Sequence, residues 1–238
     1  MAATPSLSRG RDRRSYIWFA ILMPLVVLLG FARTYYLKGF FDTPPIPGRL
    51  VHLHGAVMTA WVILFIVQVW LVSSRRVRVH QRLGKLGAVL AVLVFVVGIS
   101  TGIASAARDP TPAALQFLII PVGDMLLFAG LIGTALYYRR RMEIHKRLML
   151  VAAISLLTPA IARIPLDFII NGGPLVFFGL TDLILLAGVG IDVVRSRKLH
   201  PALLWATVAV IACQPLRILL AGTNAWLQFA TWLVAYAK

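Results

Sequence analysis

"HLHGAVMTAWVILFIVQVWLVSSRRVRVHQRLGKLGAVLAVLVFVVGISTG", residues 52–102, holds two long apolar runs joined by a short basic turn. Neither run alternates apolar with polar residues, as a strand of a membrane barrel does. Each is long enough to cross hydrocarbon as a helix, which takes about 20 residues. Backbone groups in lipid must bond within their own segment, and a helix meets that condition. The same pattern continues outward along the chain. It predicts seven spans, at 16–35, 51–73, 86–107, 114–137, 148–170, 174–194 and 201–221.

Composition agrees. Of the 238 residues 60% are hydrophobic and 13% charged, and the mean hydropathy is +0.86. A soluble domain of this length cannot hide so much apolar surface. The loops are short, so the expected fold is all-α, a seven-helix transmembrane bundle over residues 16–221. A basic tail, 1–15, precedes it and an aromatic tail, 222–238, follows. The first apolar run exceeds a signal-peptide core of about 7–15 residues, so an uncleaved first span is expected. The tail has too few apolar residues to span. We expect it on the outer surface, with Trp226, Trp232 and Tyr236 at the interface.

The formal charge of +16 is unevenly placed. Seventeen of the 24 basic residues fall in 1–15 and in the turns after spans two, four and six. That asymmetry predicts a cytoplasmic N-terminus and an outer C-terminus. The basic clusters are then topology signals and contacts for anionic lipids of the cytoplasmic face, rather than a nucleic-acid surface.

Two of those turns share a motif. Arg76–Leu83 and Arg141–Leu148 both read R-x-x-x-H-x-R-L, and "RSRKLHPAL", residues 195–203, is a looser copy. Three hairpin pseudo-repeats therefore follow the first helix. His80, His145 and His200 begin spans three, five and seven at one depth. As boundary markers they would meet lipid phosphate or loop carbonyls. As ligands, a pair would hold a haem iron axially, or all three a metal such as zinc.

Costlier residues lie in the other half of the membrane, and ionisable groups there usually face the bundle interior. They are Arg33, His52, His54, Asp124, Arg163, Asp167, Asp182, Gln214 and Arg217, with Tyr35 and Tyr36 beside Arg33. Arg163 and Asp167 have the spacing of an ion pair on one helix face, which leaves Asp124 and Asp182 for Arg33 and Arg217. Such pairs either fix helix register or line a pocket for an anionic group beneath the loop 36–50. His52, His54 and Met58 offer copper-type donors. Residues two apart on a helix diverge, however, so the two histidines share an ion only if 51–54 is extended. Gly98, Gly102 and Ala106 form a small-residue face suited to close packing. The lone Cys213 has no disulfide partner in the chain.

Residues 51–105, with the second motif copy at 141–149, resemble uncharacterised bacterial polytopic membrane proteins of the DUF2306 type. More distantly, they are similar to the b-type di-haem cytochromes that accept electrons from ascorbate. The resemblance implies a bacterial cytoplasmic (inner) membrane and haem b held between histidines of successive helices. By position His80 and His145 match one such pair. Span four, 114–137, has no histidine to face His52 or His54.

Three functions follow as expectations. One is a b-type haem redox or electron-transfer role. Another is a carrier or sensor of a small anionic molecule, using the Arg/Asp/His pocket. The last is a non-catalytic subunit or assembly factor with a membrane-protein partner. The chain has no nucleotide-binding loop, zincin helix or nucleophile elbow, and span seven has no lysine for a retinal.

Overall fold

The computed structural model describes residues 5–236, with side chains from Ile17 onward. The side chains of the basic tail 1–15, and Lys238, lie outside the described residues. The helices are α1 (Pro5–Phe31), α2 (Arg49–Ser73), α3 (Val77–Arg108), α4 (Pro112–Phe117), α5 (Ile119–Tyr137), α6 (Met142–Ser155), α7 (Thr158–Ile161), α8 (Asp167–Ser196), α9 (Pro201–Ala221) and α10 (Asn224–Ala235). No strand occurs among the described residues. Seven helical segments are long and apolar enough to cross a membrane, α4 with α5 and α6 with α7 each forming one.

The expected spans are all present, with shifted ends. The third starts at Val77 rather than 86, because the basic turn is already helical. The fifth runs Met142–Ile161 rather than 148–170. Pro159 is the second residue of the short α7, and Pro165 stands in the bend that precedes α8. A proline is tolerated in the first turn of a helix, and the residue before a proline is pushed out of helical geometry.

The fifth span is the hub. Leu150–Ser155 are all buried, and α6 packs against α5, α8 and α9, while α7 packs against α1 and α8. Small residues permit this. A methyl group on Gly30 would lie 2.0 Å from the carbonyl oxygen of Ala160, so α1 and α7 meet backbone to backbone. Gly98 and Gly102 likewise receive the side chains of Met125 and Pro121. Their small-residue face is thus a packing surface for α5.

Consecutive helices α2 and α3, α5 and α6, and α8 and α9 pack together. Their connecting turns are Arg-rich, and we call that side the Arg-rich end. Irregular backbone gathers towards the far end. A π turn, Ala32–Tyr36, follows α1. The fourth span breaks at Leu118 and the fifth at Leu156–Leu157. Gly173 interrupts α8 at φ +61°, just before Pro174. Pro215, by contrast, sits inside an unbroken α9. After α9 the chain turns at Gly222 into α10, which lies on α3 and α4. There Trp226 Nε1 donates to the Leu115 carbonyl at 2.9 Å.

Candidate functional site

At the far end, the nine polar residues and the two tyrosines separate into three groups. Asp124 and Arg217 form a buried ion pair between α5 and α9, 2.5 Å apart. Arg217 also donates to the Ile120 and Cys213 carbonyls and lies over the Phe178 ring. Gly123 leaves room for it, since a methyl group there would fall 2.3 Å from Arg217 Cδ. Alongside, Gln214 Nε2 donates to Asp182 Oδ1 at 2.7 Å, joining α9 to α8.

The tyrosines form the second group and clamp α2 to the π turn. Tyr35 OH donates to the His52 carbonyl at 3.3 Å, its ring filling the space where Gly55 has no side chain. Tyr36 OH lies 2.8 Å from Thr59 Oγ1. Because Thr59 donates its own proton to the Gly55 carbonyl, Tyr36 is the donor. α2 is helical from Arg49, so His52 and His54 diverge and do not share an ion. His52 is exposed and His54 half-buried.

The remaining cations, Arg33 and Arg163, have no carboxylate partner among the described residues. Arg33 lies over Phe41. Arg163 lies over Phe31 and donates to the Pro159 carbonyl at 2.8 Å. The expected pairing of Arg163 with Asp167 does not form among the described residues. The helix ends at Ile161 and restarts at Asp167, so helical spacing does not connect the two.

Three buried polar atoms here have no hydrogen-bond partner among the described residues: His54 Nδ1, Trp61 Nε1 and Asp124 Oδ2. His54 and Trp61 are two turns apart on one face of α2. Arg163 is within electrostatic reach of His54, and Trp61 stacks edge-on against Phe128, one turn from Asp124. The result is a polar track from Arg163 at the rim, past His54 and Trp61, to the Asp124–Arg217 pair. Burying such groups unbonded costs about 1–3 kcal/mol each. Trp61 carries no charge and so does not stand out among the polar residues of the sequence.

At the Arg-rich end His80, His145 and His200 take different roles. His200 caps α9, its Nδ1 accepting from the Ala202 amide at 3.1 Å. Burial, and then the nearby positive charge of Arg147, hold its imidazole below the usual histidine range. His145 Nδ1 lies 2.8 Å from the Ala135 carbonyl, which fixes the proton there and leaves Nε2 as an acceptor. His80 is within electrostatic reach of His145. Its Nδ1 and Gln68 Oε1 are buried without partners among the described residues, while Gln68 Nε2 donates to the His80 carbonyl. The helices α3 and α6 do not form a packed pair; each packs on α5, and the His145 ring meets its final turn. No group of three or more His, Cys, Asp or Glu able to hold a metal ion occurs among the described residues.

One network here was hidden in the sequence. Arg147 is only 3% exposed. Its Nε donates to Asp192 Oδ2 at 2.9 Å and its Nη1 to the carbonyl and carboxylate of Glu143. A basic turn disguises one inward-facing arginine among several exposed ones.

Compared with protein-family models, with curated proteins and with solved structures, the chain matches none.

Proposed function

We propose that this protein is an integral membrane protein that holds a small ligand within the far half of its bundle, as a carrier or sensor. The track of His54 Nδ1, Trp61 Nε1 and Asp124 Oδ2 carries this reading. Buried polar groups without partners are few in folded proteins, and three of the six among the described residues belong to this track. Broken helices at membrane depth are tolerated where they are buried or line a cavity, and four breaks lie towards this end. The donors and Arg163 suit an anionic or carbonyl oxygen, and Asp124 Oδ2 suits a hydroxyl or N–H. In this reading the Arg-rich turns face the cytoplasm and anionic lipid, as in a bacterial inner membrane, and the pocket opens outward.

Native mass spectrometry of protein released from mild detergent tests it. Wild type should carry a bound small molecule. Trp61→Phe, which keeps the ring against Phe128, should lose it. Wild type without bound mass, and a Trp61→Phe variant more stable than wild type, would reduce the track to an uncompensated burial cost.

A second reading, a b-type haem redox role, is supported by the imidazole pair. His145, with Nδ1 held by the Ala135 carbonyl, is in the ligand tautomer. His80 stands within its electrostatic reach. His80 and His145 would hold haem, with arginines of the two adjoining turns to meet its carboxylates. Bound there, haem would supply one-electron chemistry. The chain's part is to fix the His145 ring through the Ala135 carbonyl. Purified protein expressed with haem supplied should then show a Soret band that His145→Ala removes. No band would end this reading and leave the first untouched.

A further inference from the structure

Asp182 lies at the middle of α8 and has no arginine, lysine or histidine within ion-pair distance among the described residues. Its one hydrogen bond there comes from Gln214 Nε2, itself 4% exposed, to Oδ1. Arg217, one turn of α9 from Gln214, is committed to Asp124. Among the described residues, the other helices packed on α8 supply no counter-charge. α1 has no titratable side chain from Ile17 to Phe31. α7 presents Thr158, which bonds Thr181 at 3.1 Å. The charges of α6, Glu143, Lys146 and Arg147, gather at the Arg-rich end beside Asp192. α9 adds only Cys213, half-buried, whose carbonyl is taken by Arg217.

The face of α8 that bears Asp182 changes character along its length. Phe178, one turn before, is buried under Arg217. Leu186, one turn after, is 49% exposed and meets hydrocarbon. Asp182 is half-buried between them, at the seam of α8 and α9. Its Oδ2 is not among the sealed polar atoms of the chain. An ionised carboxylate at this depth without a cation is costly, and such a group neutralises by taking a proton.

We propose that Asp182 is a proton-binding site inside the membrane. Gln214 holds Oδ1, and the proton resides on Oδ2, where it exchanges along the α8–α9 seam. This rests on neither the polar track nor the imidazole pair. It gives the bundle a second, chemically distinct ligand, a proton.

Dicyclohexylcarbodiimide, an apolar reagent, tests the site. A protonated carboxyl adds across one C=N bond of the reagent, so the adduct retains every atom of both. Folded protein in membranes should gain one adduct on the Asp182 peptide, and the Asp124 peptide none. Each pH unit above the titration of the group should lower labelling about tenfold. Asp182→Asn, which can keep its bond to Gln214, should abolish it. Gln214→Leu removes the donor that favours the ionised form and should move half-labelling to higher pH. An unlabelled Asp182, labelling independent of pH, equal labelling of Asp124, or a Gln214→Leu profile identical to wild type would each overturn the proposal.

Discussion

Arg147 Nε lies 2.9 Å from Asp192 Oδ2, tying the fifth span to the sixth at the Arg-rich end. The guanidinium is buried and its second arm meets Glu143, whose side chain is 50% exposed. Removing one partner of a buried pair strands the other charge, which costs about 3–5 kcal/mol. Asp192 keeps 15% exposure, so Arg147→Gln should fall at the lower end of that range. Glu143→Gln should cost under about 1 kcal/mol, as exposed pairs do. Unfolding of the two variants in matched detergent separates them.

Asp124 and Arg217 should behave as one unit. Asp124→Asn or Arg217→Gln alone leaves a buried charge and should cost about 3–5 kcal/mol. The double variant should recover part of that loss, and a double-mutant cycle measures how much. Additive losses would show that the pair is not coupled.

Gly30 and Gly55 should resist alanine for different reasons. A Gly30 methyl group would press on the Ala160 backbone, which cannot step aside. Overpacking of this kind costs about 1–3 kcal/mol. At Gly55 the obstacle is the Tyr35 ring, 2.3 Å away. Gly55→Ala should therefore be relieved by Tyr35→Ala, and Gly30→Ala should not. Melting temperatures of the three single variants and the Gly55–Tyr35 double variant test this.

His200 should make stability depend on pH. Its Nδ1 must be unprotonated to accept from Ala202, and the fold holds its imidazole below the usual range. A group depressed on folding contributes stability above its unfolded value, about 6.5. That contribution is lost as pH falls through the lower folded value. Losing the cap should cost about 0.5–2 kcal/mol. His200→Ala should show the loss at every pH, and His200→Asn should keep the cap and flatten the pH dependence. Unfolding measured from pH 7 downward, with the ring followed by NMR, checks both.

The spans were legible because hydrocarbon imposes length and apolarity on each segment separately. Caps were less so: His200 looked like a boundary marker or ligand, and its capping role depends on Pro201 at the start of α9. Partners were least legible, because they depend on which helices become neighbours. The sequence leaves Asp124 open to either Arg33 or Arg217. Asp182 was matched with an arginine and met an amide instead. The reading of Arg163 with Asp167 assumed a continuous helix where the chain bends. Trp61 gave no signal, because hydropathy does not register whether an indole N–H finds an acceptor.

The π turn at Ala32–Tyr36, closed by the Leu37 amide on the Ala32 carbonyl at 2.8 Å, sets the phase between the first two spans. It holds one residue more than an α turn. Deleting a single codon there would keep the loop long enough to reach α2. Every later side chain of the turn would rotate by about 100°, carrying Tyr35 off Gly55 and Tyr36 off Thr59. The docking of the first helix thus rests on the number of residues in this turn as much as on their identity.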